Sequence, residues 1–355
     1  MYINKKLRAT ILSSVMSVDL MFLPIMCPAD NINVAPLLQL TISEAHAESA
    51  EEHFNRGINY LKASNYNEAI AEFTKVIELR PNATDAYYNR GLAYYNLKNY
   101  EAAIDDYNKA IQLDSQYADA YLNRGVIYYE MQNHEAAIAD YTKAIELNPN
   151  DASAYYNRGL VYRDVQKYNE AIADYTKAIK FNPNNYIVYT NRGFAYAELE
   201  NYEAAITDYT KVIELNPDSY LSYIWRGDVY AKLQNYDAAI ADYTQAIELT
   251  PNNAWAYNNR GNAYARMKNY DAAIADFTKV IELNPKNAKA YNSRGMVYYY
   301  LQQYEKALIN FNKALELKPE LAETYYHRGK VYETMGDKAR AEADFAKARE
   351  LGYNG

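Results

Sequence analysis

Along this chain the apolar positions recur at helical spacing, and the helical pattern itself recurs every thirty-four residues. From Tyr87 the apolar and small residues run Tyr87, Gly91, Tyr94 and Tyr95. After a polar break at Asn99 they run Ala103, Ile104, Tyr107, Ala110 and Ile111. Positions three and four apart share one face of a helix, so each run predicts an amphipathic helix and not a strand. Asparagine is a good helix cap, so Asn99 marks a turn and the start of the second helix. Pro81, Pro149, Pro183, Pro217, Pro251, Pro285 and Pro319 each lie twenty-four residues after a glycine. Proline cannot continue a helix, and each of these stops the second one.

The longer period is carried by Gly57, Gly91, Gly125, Gly159, Gly193, Gly227, Gly261, Gly295 and Gly329, each preceded by arginine. Three residues after each stands tyrosine, twelve after stands alanine, and sixteen after stands phenylalanine or tyrosine. A small residue facing a large one is what two closely crossing helices need. A fixed period of this size means stacked helical hairpins, each packing only on its neighbours. The pattern predicts nine of them over residues 48–355, starting near 50, 84, 118, 152, 186, 220, 254, 288 and 322.

This constellation resembles the tetratricopeptide repeat family. The resemblance implies an all-α fold, a right-handed α-solenoid (superhelix) of stacked antiparallel helix pairs. It also implies a non-enzymatic protein–protein interaction scaffold that takes an extended polypeptide in a concave groove lined by the first helices. One departure is systematic: arginine stands before every glycine, where the family usually has leucine. Ser115 and Tyr353 stand where proline is expected.

The family register points six, three and two residues before the glycine, and one, four and five after it, into the groove. Two before stand Asn55, Asn89, Asn123, Asn157, Asn191 and Asn259. An amide both donates and accepts, so this ladder can pair with a peptide backbone whatever its side chains. The alternative is that each asparagine satisfies backbone nearby. Tyr88, Tyr95, Tyr129, Tyr156 and Phe194, together with Asn258 and Asn262, complete the expected groove, with Trp225 and Trp255 as adjacent anchors. No lysine lies three before any glycine and no arginine two before one. The family's clamp for chaperone C-termini is therefore not expected.

Nine arginines on a packing face would be costly unpaired. Fifteen residues after the glycine stand Glu72, Asp106, Asp140, Asp174, Asp208, Asp242, Asp276 and Asp344, with Asn310 the exception. Structural ion pairs such as Arg90–Asp106, Arg124–Asp140 and Arg158–Asp174 are expected, within or between hairpins.

Net charge narrows the partners. The chain carries -8, and residues 1–47 are neutral, so the array holds all of it. Nucleic-acid binding needs a basic stripe for the phosphates, and an acidic array argues against it. The four histidines show no metal-ligand spacing, no glycine-rich phosphate loop occurs, and no nucleophile–base set can be assembled. No enzyme activity, metal or cofactor is expected. The expected partner is another protein or an extended peptide. Self-association or bridging through the outer face or the ends is the alternative, and a glycan the third.

Residues 1–47 differ in kind. Lys5, Lys6 and Arg8 precede an apolar stretch, Ala9 to Met26, and Ala45-His46-Ala47 has the form of a cleavage site. They read as a signal peptide or an N-terminal anchor. A cleaved leader implies a periplasmic or secreted protein; a retained one implies membrane anchoring or cytoplasmic residence. Membrane association is expected only through residues 9–26.

Overall fold

The computed structural model describes residues 48–353. The leader, with its expected cleavage site and its apolar residues 9–26, lies outside them. Eighteen helices and no strands occur among the described residues. The first two hairpins are α1 (Ala50–Lys62) with α2 (Tyr66–Leu79) and α3 (Thr84–Asn96) with α4 (Tyr100–Leu113). Then come α5 (Ala118–Glu130) with α6 (His134–Leu147) and α7 (Ala152–Asp164) with α8 (Tyr168–Phe181). Next are α9 (Tyr186–Glu198), α10 (Tyr202–Leu215), and α11 (Tyr220–Lys232) with α12 (Tyr236–Leu249). The last are α13 (Ala254–Arg266) with α14 (Tyr270–Leu283), α15 (Ala288–Tyr300) with α16 (Tyr304–Leu317), and α17 (Ala322–Thr334) with α18 (Lys338–Glu350). They form two compact bodies, one ending at Leu199 and one starting at Glu200, so the division falls between α9 and α10.

Local chemistry explains each hairpin. Lys98 takes φ of 58° in the turn after α3, and seven equivalents, from Ser64 to Gln302, do the same. A left-handed residue satisfies the last carbonyls of a helix, and a non-glycine one costs roughly 1–2 kcal/mol. Gly336 fills this position in the last hairpin without that cost. The Asn99 side chain then accepts from Ala102 N at 3.3 Å, and Asn133, Asn235 and Asn269 cap α6, α12 and α14 the same way.

Within a hairpin the two helices meet at the glycine. A Cβ on Gly159 would lie 2.7 Å from the Tyr175 ring, and one on Gly91 would lie 2.8 Å from Tyr107. Both rings are fully buried and cannot retreat, so no larger residue fits there. The alanines twelve after the glycine, such as Ala103, Ala137, Ala171 and Ala239, are also fully buried.

Candidate interaction site

The arginine ladder is internal to the array. Arg90 donates from Nε and Nη2 to Asp106 at 2.8 and 2.7 Å, joining α3 to α4 within one hairpin. Its Nη1 donates to Thr74 Oγ1 at 3.0 Å, which ties the hairpin to the one before. The rings of Tyr87 and Tyr94 flank the guanidinium at 5.6 and 6.0 Å. Arg124, Arg158, Arg226, Arg260 and Arg328 repeat this bidentate pairing with Asp140, Asp174, Asp242, Asp276 and Asp344. The carboxylates are buried and the arginine side chains nearly so, where only a fully bonded pair offsets the lost hydration. The threonine or asparagine seventeen after the glycine is a partner that the sequence displayed and the acid pattern overshadowed.

Four of the six ladder asparagines are sealed from any groove. Asn89, Asn123, Asn157 and Asn191 are at most 1% exposed. Asn89 donates to Asp85 O at 2.8 Å, and Asn191 to Ile187 O at 2.9 Å. Asn123 donates to the Tyr88 hydroxyl of the preceding hairpin at 2.9 Å. The Asn191 amide oxygen accepts from Arg163 at 2.6 Å. The amides thus serve local backbone and the contact between successive first helices. Asn259, half-buried, donates to Asp228 at 2.8 Å. Only Asn55, in the first described hairpin, is exposed.

The aromatic residues divide likewise. Tyr88 and Tyr156 are buried. The Tyr95 and Tyr129 hydroxyls donate at 2.6 Å to Glu130 and Asp164 of the following hairpins. Phe194 lies edge-on to Tyr168, 6.4 Å between centroids. Trp225 and Trp255 are half-buried and share no ring contact: Trp225 sits 6.0 Å from Tyr209, and Trp255 packs against the core around Ile224 and Ala256. Each ring therefore has its own packing partners, and no ring–ring contact joins the expected pair among the described residues. Asn258 is half-buried and donates to the Asn259 amide oxygen at 3.2 Å.

An open cavity lies in the second body. Asn262, Arg266, Lys268, Ser293, Met296 and Tyr300 line a cavity of about 680 Å³, backed by Phe277, Val297, Asn292 and His327. Asn262, Arg266 and Lys268 are exposed. No carboxylate pairs with either cation among the described residues. His327 Nδ1 lies 3.2 Å from Asn292 Oδ1. Burial holds the imidazole below its ordinary value, so it is neutral at pH 7. The cavity's charge is therefore positive and comes from Arg266 and Lys268. Arg266 stands five after its glycine, a groove position in the register. Its sign contrasts with Glu130, Asp164 and Glu198 at the same register in the first body, which was the available signal.

Asp228 is a carboxyl where Leu92, Val126 and Leu160 stand in other hairpins. It accepts from Tyr243 OH at 2.7 Å and Asn259 Nδ2 at 2.8 Å. Loss of water pushes it from an ordinary 3.8 up to about 6, with the two hydrogen bonds opposing. The folded protein then holds more protons than the unfolded chain between those values. Its contribution to stability is full below 3.8 and is lost as pH rises through 6. Asp228→Asn is therefore expected to be more stable than the parent by about 1–2 kcal/mol at pH 8, the gap closing as pH falls towards 4. Urea denaturation across that range measures it; a gap independent of pH refutes the assignment.

Tetratricopeptide-repeat models match residues 54–118, 118–151, 152–185, 186–219, 208–241, 254–287, 277–309 and 322–351, and a TPR-repeat model matches 227–268 and 295–336. No curated protein matches. Among solved structures, a tetratricopeptide repeat protein from Parabacteroides merdae is 26% identical, with a TM-score of 0.54, over 67% of this chain and 94% of that one. The C-terminal part of a TPR repeat-containing protein from Cytophaga hutchinsonii is 24% identical, with a TM-score of 0.59, over 68% and 98%. YrrB, described as a TPR protein with an unusual peptide-binding site, is 29% identical over 52% and 95%, with a TM-score of 0.46. No catalytic family is among the family matches.

Proposed function

Because the chain belongs to the tetratricopeptide repeat family, a protein-interaction scaffold fold, we propose that it is a non-enzymatic scaffold binding an extended polypeptide segment across α13, α15 and α17. The observation that carries this reading is the cavity around Asn262 and Arg266. Elsewhere on the first helices Asn89, Asn123, Asn191, Tyr95 and Tyr129 are already bonded to backbone or to neighbouring side chains. Here an amide and two cations converge on an apolar floor with no protein partner. A pocket of this size with a few directed polar groups fits one or two side chains of a bound segment. Arg266 and Lys268 favour a segment with an acidic residue beside an apolar one, since charge-assisted bonds exceed neutral ones in strength.

The test is a selection from random peptides on the full chain, repeated on the double variant Asn262→Ala, Arg266→Ala. Both positions are exposed, so the fold is expected to survive, and circular dichroism checks it. Peptides enriched on the parent are expected to bind the variant at least about tenfold more weakly, a loss of ~1.4 kcal/mol. Equal binding to both refutes the site.

A further inference from the structure

One hairpin breaks the arginine pattern, and it does so at two adjacent positions. In α16 the carboxylate that pairs with the ladder arginine is replaced by Asn310. Arg294 Nε donates to Asn310 Oδ1 at 3.0 Å, and Nη1 to Thr278 Oγ1 at 2.9 Å. The Asn310 amide nitrogen turns away to Lys306 O at 2.8 Å. Nη2, which in Arg90, Arg124, Arg158, Arg226, Arg260 and Arg328 donates to a carboxylate at 2.7–2.8 Å, has no acceptor among the described residues. The cation thus keeps its hydroxyl partner and one of the two tyrosines that flank its counterparts, Tyr291 at 5.7 Å, but has no counter-charge.

The neighbouring residue is equally out of pattern. Ile309 stands where the other hairpins have Ala71, Asp105, Ala139, Ala173, Thr207, Ala241, Ala275 and Ala343. It is 67% exposed, the most exposed of the large apolar residues described. A single exposed isoleucine needs no explanation. This one lines a cavity of about 400 Å³ together with Arg294, Asn310 and Lys313, on the face of the second helices and away from the cavity at Arg266. Lys313 is paired with Glu316 at 2.6 Å, so the uncompensated charge at the cavity is that of Arg294.

We propose that this cavity is a second binding site, which receives an acidic segment of a partner protein. A partner carboxylate takes Nη2 of Arg294 and supplies the counter-charge that Asn310 omits, while an adjacent apolar side chain covers Ile309. Charge complementarity selects the acidic group, and planar guanidinium geometry favours a carboxylate. The isoleucine makes the recognition two-point: an anion without an apolar neighbour satisfies half of it.

The experiment uses the full chain as bait for random twelve-residue peptides, with binding of the enriched peptides followed by fluorescence anisotropy. Peptides with Asp or Glu close to Leu, Ile or Phe are expected. Their affinity is expected to fall about tenfold on Asn310→Asp, in which the chain's own carboxylate occupies the place, and severalfold on Ile309→Ala. Asn310→Asp completes an internal pair, so lost binding is not a symptom of unfolding; thermal denaturation of that variant checks this. Unchanged binding to Asn310→Asp, or no acidic family at all, overturns the proposal. So does displacement by inorganic phosphate that is equal in the parent and Ile309→Ala, which would mark a general anion site. Peptides lost on Asn262→Ala, Arg266→Ala but not on Asn310→Asp support only the first-helix site and also overturn this one.

Discussion

Asp140→Ala is expected to destabilise the array by about 3 kcal/mol, because it leaves the Arg124 guanidinium without its buried counter-charge. Asp140 accepts from Arg124 Nε and Nη2 at 2.8 and 2.7 Å, and both side chains are largely out of water. Asn108 remains as a neutral acceptor on Nη1, and Tyr121 and Tyr128 still flank the charge, which keeps the loss below that of a fully enclosed ion. Asp140→Asn is expected to cost less than half as much, since the chain itself tolerates that arrangement at Arg294 and Asn310. Repeat arrays propagate local damage through neighbouring interfaces, so hydrogen exchange should show the loss concentrated in α5 to α7. Urea denaturation giving less than ~0.5 kcal/mol for Asp140→Ala would show the ladder to be energetically idle.

Tyr175→Ala is expected to cost about 4 kcal/mol, the range for deleting a buried aromatic ring. The ring is fully buried and fills the space beside Gly159, with Tyr156 at 6.1 Å. Tyr175→Phe should be neutral or slightly stabilising. The hydroxyl is buried with no hydrogen-bond partner, and a buried polar group without one is costly. Phe73, Phe277, Phe311 and Phe345 already occupy the same position in other hairpins. Thermal or urea denaturation of both variants decides it; a loss of more than ~1 kcal/mol in Tyr175→Phe would mean that the hydroxyl has a structural role.

The sequence by itself determined the hairpins. Gly159 and Tyr175, or Arg124 and Asp140, are sixteen apart, both ends lie in one hairpin, and helical spacing is enough to place them together. The turns at Lys98 and Asn99 were legible for the same reason, since capping is a matter of a few consecutive residues. Only the tertiary structure decided which faces remain open. Asn123 and Asn55 occupy the same register, yet Asn123 is sealed by Tyr88 from the hairpin before it while Asn55 is exposed. The same rule removed Tyr88 and Tyr156 from the surface and left Asn262, Arg266 and Arg294 lining cavities. Periodicity records what a residue meets within its own hairpin. Exposure depends on how far the neighbouring hairpin's side chains reach across the contact, and that is a property of the packed array.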